Sequence, residues 1–125
     1  MNENEIARKV VDAAYHVHRN LGPGLLESVY EKVLVYELNK RRLKTESQTP
    51  IPIVYDNLKF DEGFRADVIV EGKVILELKS VENILPVHKK QLLTYLRLAN
   101  MKLGLLINFG ARFIRDGINR IANNL

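Results

Sequence analysis

Phe64-Arg65-Ala66-Asp67-Val68-Ile69-Val70-Glu71-Gly72-Lys73-Val74-Ile75-Leu76-Glu77-Leu78-Lys79 contains two apolar runs, 64–70 and 73–79, that read as paired strands joined at Glu71-Gly72. Each run carries charge where a strand buried on both faces ordinarily has none. Register decides what those charges can do. A connection with an odd number of residues, such as a type I turn followed by a glycine bulge, turns Asp67 and Glu77 to one face, whereas a strict two-residue turn separates them. Lys79 shares the face of Glu77, about 7 Å further along the strand. Ile69 and Ile75 fall beside the acids and would partly desolvate them.

Outward from this stretch, the remaining chain supplies helices and further strands. Ile6, Val10, Ala13, Val17 and Leu21 recur at helical spacing, predicting a helix over about residues 4 to 20 that Gly22-Pro23-Gly24 breaks. Leu26, Val29, Tyr30, Val33, Leu34 and Leu38 predict a second helix, with Glu27 on its first turn. Pro50 and Pro52 allow only an edge strand around Ile51 to Tyr55, and Asp56-Asn57 turns the chain into Leu58-Lys59-Phe60. Pro86 introduces a third helix over Val87 to Ala99, with Leu92, Leu93, Leu96 and Leu98 on its apolar face. Leu103 to Phe109 is apolar throughout, as in a strand covered on both sides. In the tail from Ala111 to Leu125, the spacing of Ile114, Ile118 and Ile121 suggests a last helical turn or two. The order helix-helix-β-meander-helix-strand implies an α/β fold (α+β, mixed sheet), with a parallel crossover and helices flanking a central sheet.

At 125 residues this is expected to be a single domain, 1–125. Hydrophobic content of 46% and charged content of 27% are those of an ordinary globular protein. The apolar stretches are too short to span a membrane, and the polar start Met1-Asn2-Glu3-Asn4-Glu5 is unlike a signal peptide, so a cytoplasmic location is expected. The absence of cysteine excludes disulfides, thiolate zinc sites and a cysteine nucleophile. A net charge of +4 is compatible with nucleic acid. The basic clusters are Lys40-Arg41-Arg42-x-Lys44, Lys89-Lys90 with Arg97, and Arg112, Arg115 and Arg120. Lys89, Lys90 and Arg97 are the candidate nucleic-acid contacts, although such a cluster is most often a solvated face.

Two carboxylates held together without a cation repel, which raises the pKa of one of them; magnesium or manganese relieves that repulsion. Such an ion polarises a phosphate oxygen and activates water, with Lys79 orienting that water or neutralising charge in the transition state. The plainer reading pairs Asp67 with Arg65 or a neighbouring strand and leaves Glu77 and Lys79 on a solvated face. Glu27 is a candidate third carboxylate, or simply a first-turn glutamate favoured by the helix dipole. Gln91 and Tyr95 lie four apart on one helix face, with His88 a turn earlier, and could hold a water or a phosphate; Tyr95 could instead be a core aromatic. His16 and His18, two apart on a helix, cannot form a same-face metal pair.

With these residues the chain resembles the PD-(D/E)xK nuclease superfamily, and more closely the small bacterial GxxExxY family. Gly24-Leu25-Leu26-Glu27-Ser28-Val29-Tyr30 matches the motif that names the latter, and the similarity extends over His18 to Gly24, Asp67 to Lys79 and Leu105 to Gly110. The resemblance implies a restriction-endonuclease-like core, with Asp67 and Glu77 as metal carboxylates, Lys79 as catalytic lysine and Glu27 as the acid of the first core helix. Gln91-Leu92-Leu93-Thr94-Tyr95 matches the QxxxY pattern of RecB-type nucleases, in which glutamine and tyrosine line the site. His18 matches a histidine found ahead of the site in some relatives. Ala66 departs from the proline that often precedes the aspartate. The implied activity is Mg2+- or Mn2+-dependent hydrolysis of phosphodiester bonds in DNA, with RNA as the secondary candidate. The competing reading is a catalytically silent nucleic-acid-binding or protein-interaction module on the same fold. A domain this small has little room for sequence-reading elements, so specificity would come from a homodimer or a partner protein.

Overall fold

Asn2 starts the first helix of the computed structural model, which describes residues 1–125 apart from the side chain of Glu62. Its Oδ1 accepts the Glu5 N–H at 2.9 Å and so caps α1 (Glu3–Leu21). Ile6, Val10, Ala13 and Val17 are buried as their spacing predicts, whereas Leu21 is exposed. Gly22 and Gly24, both at positive φ, turn the chain into α2 (Glu27–Lys40). Tyr30, Leu34 and Leu38 form its buried stripe, while Leu26 and Val29 remain exposed, so the packed face is narrower than the apolar pattern suggests.

Strands β1 (Thr45–Tyr55), β2 (Leu58–Val70) and β3 (Val74–Lys79) form an antiparallel meander. Helix α3 (Pro86–Ala99) then returns the chain to β4 (Leu103–Asn108), which runs parallel to β3. The predicted crossover is therefore present. Pro50 and Pro52 lie in β1, an edge strand of a five-stranded sheet ordered β1-β2-β3-β4-β5. Asp56 and Asn57 both take positive φ at the β1–β2 turn, the conformation that suits a two-residue hairpin.

The tail departs from the helical expectation. Only Ile114–Gly117 forms a short helix, α4, and Ile118–Ala122 forms β5, antiparallel to β4. Ile118 and Ile121 thus lie on a strand, where β4 supplies the ladder partners that local spacing could not reveal.

The sheet separates two cores. On one side α1 and α2 pack on Val68, Val70, Val74, Leu76, Leu78, Leu103, Leu105 and Ile107. On the other, Leu92 and Leu96 of α3 pack on Ala66, Ile69, Ile75 and Leu106. β4 is buried throughout, as a central strand covered on both sides should be. This is the mixed α/β architecture of a restriction-endonuclease-like fold.

Candidate active site

The β2–β3 connection contains three residues, Glu71 to Lys73, between the paired Val70 and Val74. This satisfies the odd-number condition, but by a different turn from the one expected: Glu71 and Gly72 both take positive φ. A glutamate tolerates that conformation here because its main-chain N–H donates to the Lys44 carbonyl at 2.9 Å and its Oε2 accepts the Lys44 N–H at 2.6 Å. The resulting register pairs Ile69 with Ile75 and Val68 with Leu76. One step further, where a Asp67–Glu77 pair would follow, side chains replace the ladder. The Asp67 N–H donates to Glu77 Oε2 at 3.0 Å, and the Leu78 N–H donates to Asp67 Oδ2 at 2.8 Å. The two carboxylates are thereby brought together at the point where β2 and β3 part. Among the described residues, the N–H donors at this point reach Glu77 Oε2 and Asp67 Oδ2, and no N–H donates to Asp67 Oδ1 or Glu77 Oε1.

Electrostatics at this fork are unfavourable to two negative charges. The Glu77 carboxyl is pushed up to about 8, first by desolvation, then by the charge of Asp67, with Lys79 offsetting part of the effect. A hydrogen bond between the carboxyl groups also favours the proton-bearing form. Lys79 is half-buried on β3, and among the described residues no ion pair within 4.0 Å engages Lys79, Asp67 or Glu77. Arg65 does not pair with Asp67; its guanidinium donates to the Gln48 carbonyl at 3.1 Å.

Helix α2 closes one side of the fork. Glu27, Ser28 and Glu31 line a cleft together with Gln48, Asp67 and Leu78. Glu27 Oε2 accepts the Ser80 N–H at 3.3 Å, next to Lys79, and the Ser80 hydroxyl donates to the Leu25 carbonyl at 2.6 Å. The Gly24 to Tyr30 segment acts as a clamp. Gly24 at φ +105 bends the loop, Glu27 opens the helix, and Tyr30, fully buried, stacks on Phe109 with centroids 4.5 Å apart. The Tyr30 hydroxyl donates to the Gly22 carbonyl and accepts the Leu25 N–H, so it fixes the loop that carries Glu27.

Sequence reasoning missed Glu31 and Gln48. Glu31 lies one turn after Glu27, and its carboxyl is raised by burial and by the charge of Asp67, while the hydrogen bond from Gln48 opposes the rise. Gln48 Nε2 donates to Glu31 Oε1 at 2.6 Å from a backbone at φ 52, an uncommon conformation for glutamine. The i, i+4 spacing of Glu27 and Glu31 was the available signal.

Helix α3 contributes less than its motif suggests. Tyr95 is half-buried and stacks on Phe64, centroids 3.7 Å apart; its phenol is raised by burial and then by Glu77 and Asp67, whose charges it feels directly. Gln91, Lys89, Lys90 and Arg97 are exposed, and no described hydrogen bond or ion pair ties them to the carboxylates. His88 instead accepts the Leu85 N–H at the helix start. His18 serves the scaffold: it is 8% exposed, and its Nε2 donates to the Ala111 carbonyl at 2.8 Å.

The donor set suits a hard divalent cation, since an anionic, desolvated oxygen pair is relieved by a positive charge that prefers oxygen ligands. Among the described residues no group of three or more His, Asp or Glu side chains is gathered tightly enough to hold a metal. Asp67 and Glu77 are the carboxylates anchored on each other's strands, and Glu27 and Glu31 line the cleft that Asp67 adjoins. No described helix is long and apolar enough to cross a membrane. Comparison with curated proteins and with solved structures found no match. A family model described as PD-(D/E)XK nuclease superfamily matches residues 4–121, from the first turn of α1 into β5. With a match of that extent over a fold of this architecture, the chain belongs to the PD-(D/E)XK nuclease superfamily.

Proposed function

We propose that this protein is a metal-dependent nuclease of the GxxExxY type that hydrolyses phosphodiester bonds in DNA, acting as a single domain over residues 1–125 in the cytoplasm. The observation that carries the reading is the mutually anchored Asp67–Glu77 pair, whose Glu77 is pushed up to about 8 by burial and by the charge of Asp67. Asp67 and Glu77 would hold magnesium or manganese, with Glu27 and Glu31 completing the shell through water. A bound ion of this kind polarises a phosphate oxygen and lowers the pKa of water.

The chain's own groups do the rest. Lys79 brings an ammonium to the edge of the pair, where it neutralises charge building on the phosphoryl oxygens. Tyr95 keeps its proton, because neighbouring carboxylates disfavour a phenolate, and so remains a hydrogen-bond donor. Gln91 would reach substrate only once nucleic acid lies across α3, as would Lys89, Lys90 and Arg97. A domain of this size has little room for sequence-reading elements, so a second copy or a partner protein would supply specificity.

Single- and double-stranded DNA and RNA, incubated with magnesium or manganese, test the reading against Asp67→Ala and Lys79→Ala. Cleavage should fall about a hundredfold or more in each variant. Equal cleavage by all three proteins would identify a contaminating nuclease and overturn the assignment. Calorimetric titration with manganese separates the enzyme from a silent binding module: the former takes up the ion, and Asp67→Ala abolishes the heat.

A further inference from the structure

Beyond the carboxylate cleft, the end of α1 and the segment after β4 form a second surface. Tyr15, His18, Arg19, Arg112, Phe113 and Arg115 line a shallow cleft there. Phe113 is 51% exposed and Tyr15 39%, so both rings present aromatic surface to solvent within one cleft. The Phe113 ring lies 5.1 Å from the Arg112 guanidinium carbon and 5.7 Å from that of Arg115. Arg115 has an acidic neighbour, Asp116, at 3.9 Å. Among the described residues Arg19 and Arg112 enter no ion pair within 4.0 Å. Exposed rings beside unpaired guanidinium groups fit a polyanion that also offers flat aromatic faces, which describes unpaired nucleotides.

Position strengthens the case. Lys79 and Asn108 are register partners at the carboxyl ends of parallel β3 and β4. Arg112 and Phe113 follow Asn108 by a few residues, held in place because Ala111 is tethered to His18 and Asn108 is bonded at both ends of its amide to Val81. On the other side, Arg19 leads through Gly22 to Leu25, which accepts from Ser80 beside Lys79. The surface and the cleft therefore both lie toward the carboxyl ends of β3 and β4.

We propose that the Tyr15–Phe113 surface is a single-strand platform: bases stack on Phe113 and Tyr15, while Arg19 and Arg112 contact phosphates and lead the strand to the carboxylate cleft. The proposal rests on the nucleic-acid reading above but not on turnover. Binding of fluorescein-labelled oligo(dT) and oligo(U), followed by anisotropy in EDTA, tests it without cleavage. Phe113→Leu, which keeps an apolar side chain but removes the ring, should weaken binding by about fivefold or more without changing the salt dependence. Arg19→Ala with Arg112→Ala should weaken binding and flatten the logarithmic salt slope by about 1.4, the loss of two phosphate contacts to a single strand. Circular dichroism melting confirms that each variant folds, and Phe113→Tyr should restore affinity. The proposal is overturned if folded Phe113→Leu and the double arginine variant bind like wild type. It is equally overturned if polyglutamate of matched charge competes as well as the oligonucleotide, since that outcome marks an acidic-protein surface. Absence of cleavage together with ring-dependent binding would sink the nuclease and leave the platform standing.

Discussion

Asp67 and Glu77 each satisfy a main-chain N–H on the opposite strand, so the pair that crowds two negative charges together also terminates the β2–β3 ladder. Removing charge while keeping an acceptor should separate these roles. Asp67→Asn retains an oxygen for the Leu78 N–H, and Glu77→Gln retains one for the Asp67 N–H. Each variant should melt a few degrees higher than wild type at pH 8 in EDTA, because repulsion disappears and the hydrogen bond stays. Each should also lose cleavage. A lower melting temperature for both would mean that the charged pair stabilises the metal-free fold.

Stability of the metal-free protein should fall with rising pH. Glu77 holds its proton to about 8 when folded, against an ordinary value of 4.5 when unfolded. The stabilising contribution is thus fully present below about pH 4.5 and is lost progressively up to about pH 8, because the folded state binds the extra proton in that window. The change is on the order of a few kcal/mol. Urea midpoints at pH 5, 7 and 9 check it, and Glu77→Gln should flatten the profile. Manganese affinity should move the opposite way, rising with pH to about 8 as the proton leaves. An affinity independent of pH would place the ion elsewhere.

Tyr30→Phe should affect both stability and activity. The ring and its stack on Phe109 survive, but the Gly22 carbonyl and the Leu25 N–H lose their partner. The cost is about 1–3 kcal/mol. Because the freed loop carries Glu27, cleavage should drop more at low metal concentration than at saturation. Chemical denaturation and a manganese titration of rate measure the two effects; an unchanged rate at limiting metal would disconnect Glu27 from the site.

Glu31→Gln should raise the apparent metal requirement several-fold while leaving the fold intact, since the half-buried carboxyl is already disfavoured by burial and by Asp67. Gln48→Ala should act in the same direction more weakly, by releasing Glu31. Rate as a function of manganese concentration reads both. If Glu31→Gln leaves the half-saturating concentration unchanged, the carboxylate stands outside the metal's surroundings.

Much of the fold was legible because it rests on local signals: the helical stripes of α1 and α2, the prolines that confine β1 to an edge, and the uniformly apolar β4. Asp67, Glu77 and Lys79 stood out for a related reason, since charge in an apolar strand violates the pattern around it. What stayed hidden depended on distant partners. The Glu71 turn needs Lys44 to hold a non-glycine residue at positive φ, and β5 needs β4 beside it. Glu31 looks like any surface glutamate until α2 packs over Asp67. In Leu26 and Val29, conversely, the periodic pattern ran past the region that tertiary packing covers.

Pro50 and Pro52 have one more effect, felt between molecules rather than within one. Neither can donate a main-chain hydrogen bond, so the outer margin of β1 is a poor template for a neighbouring chain. Strand-to-strand stacking into fibrils is discouraged at this margin, and the protein should stay dispersed at concentrations where an uninterrupted β-edge would seed deposits.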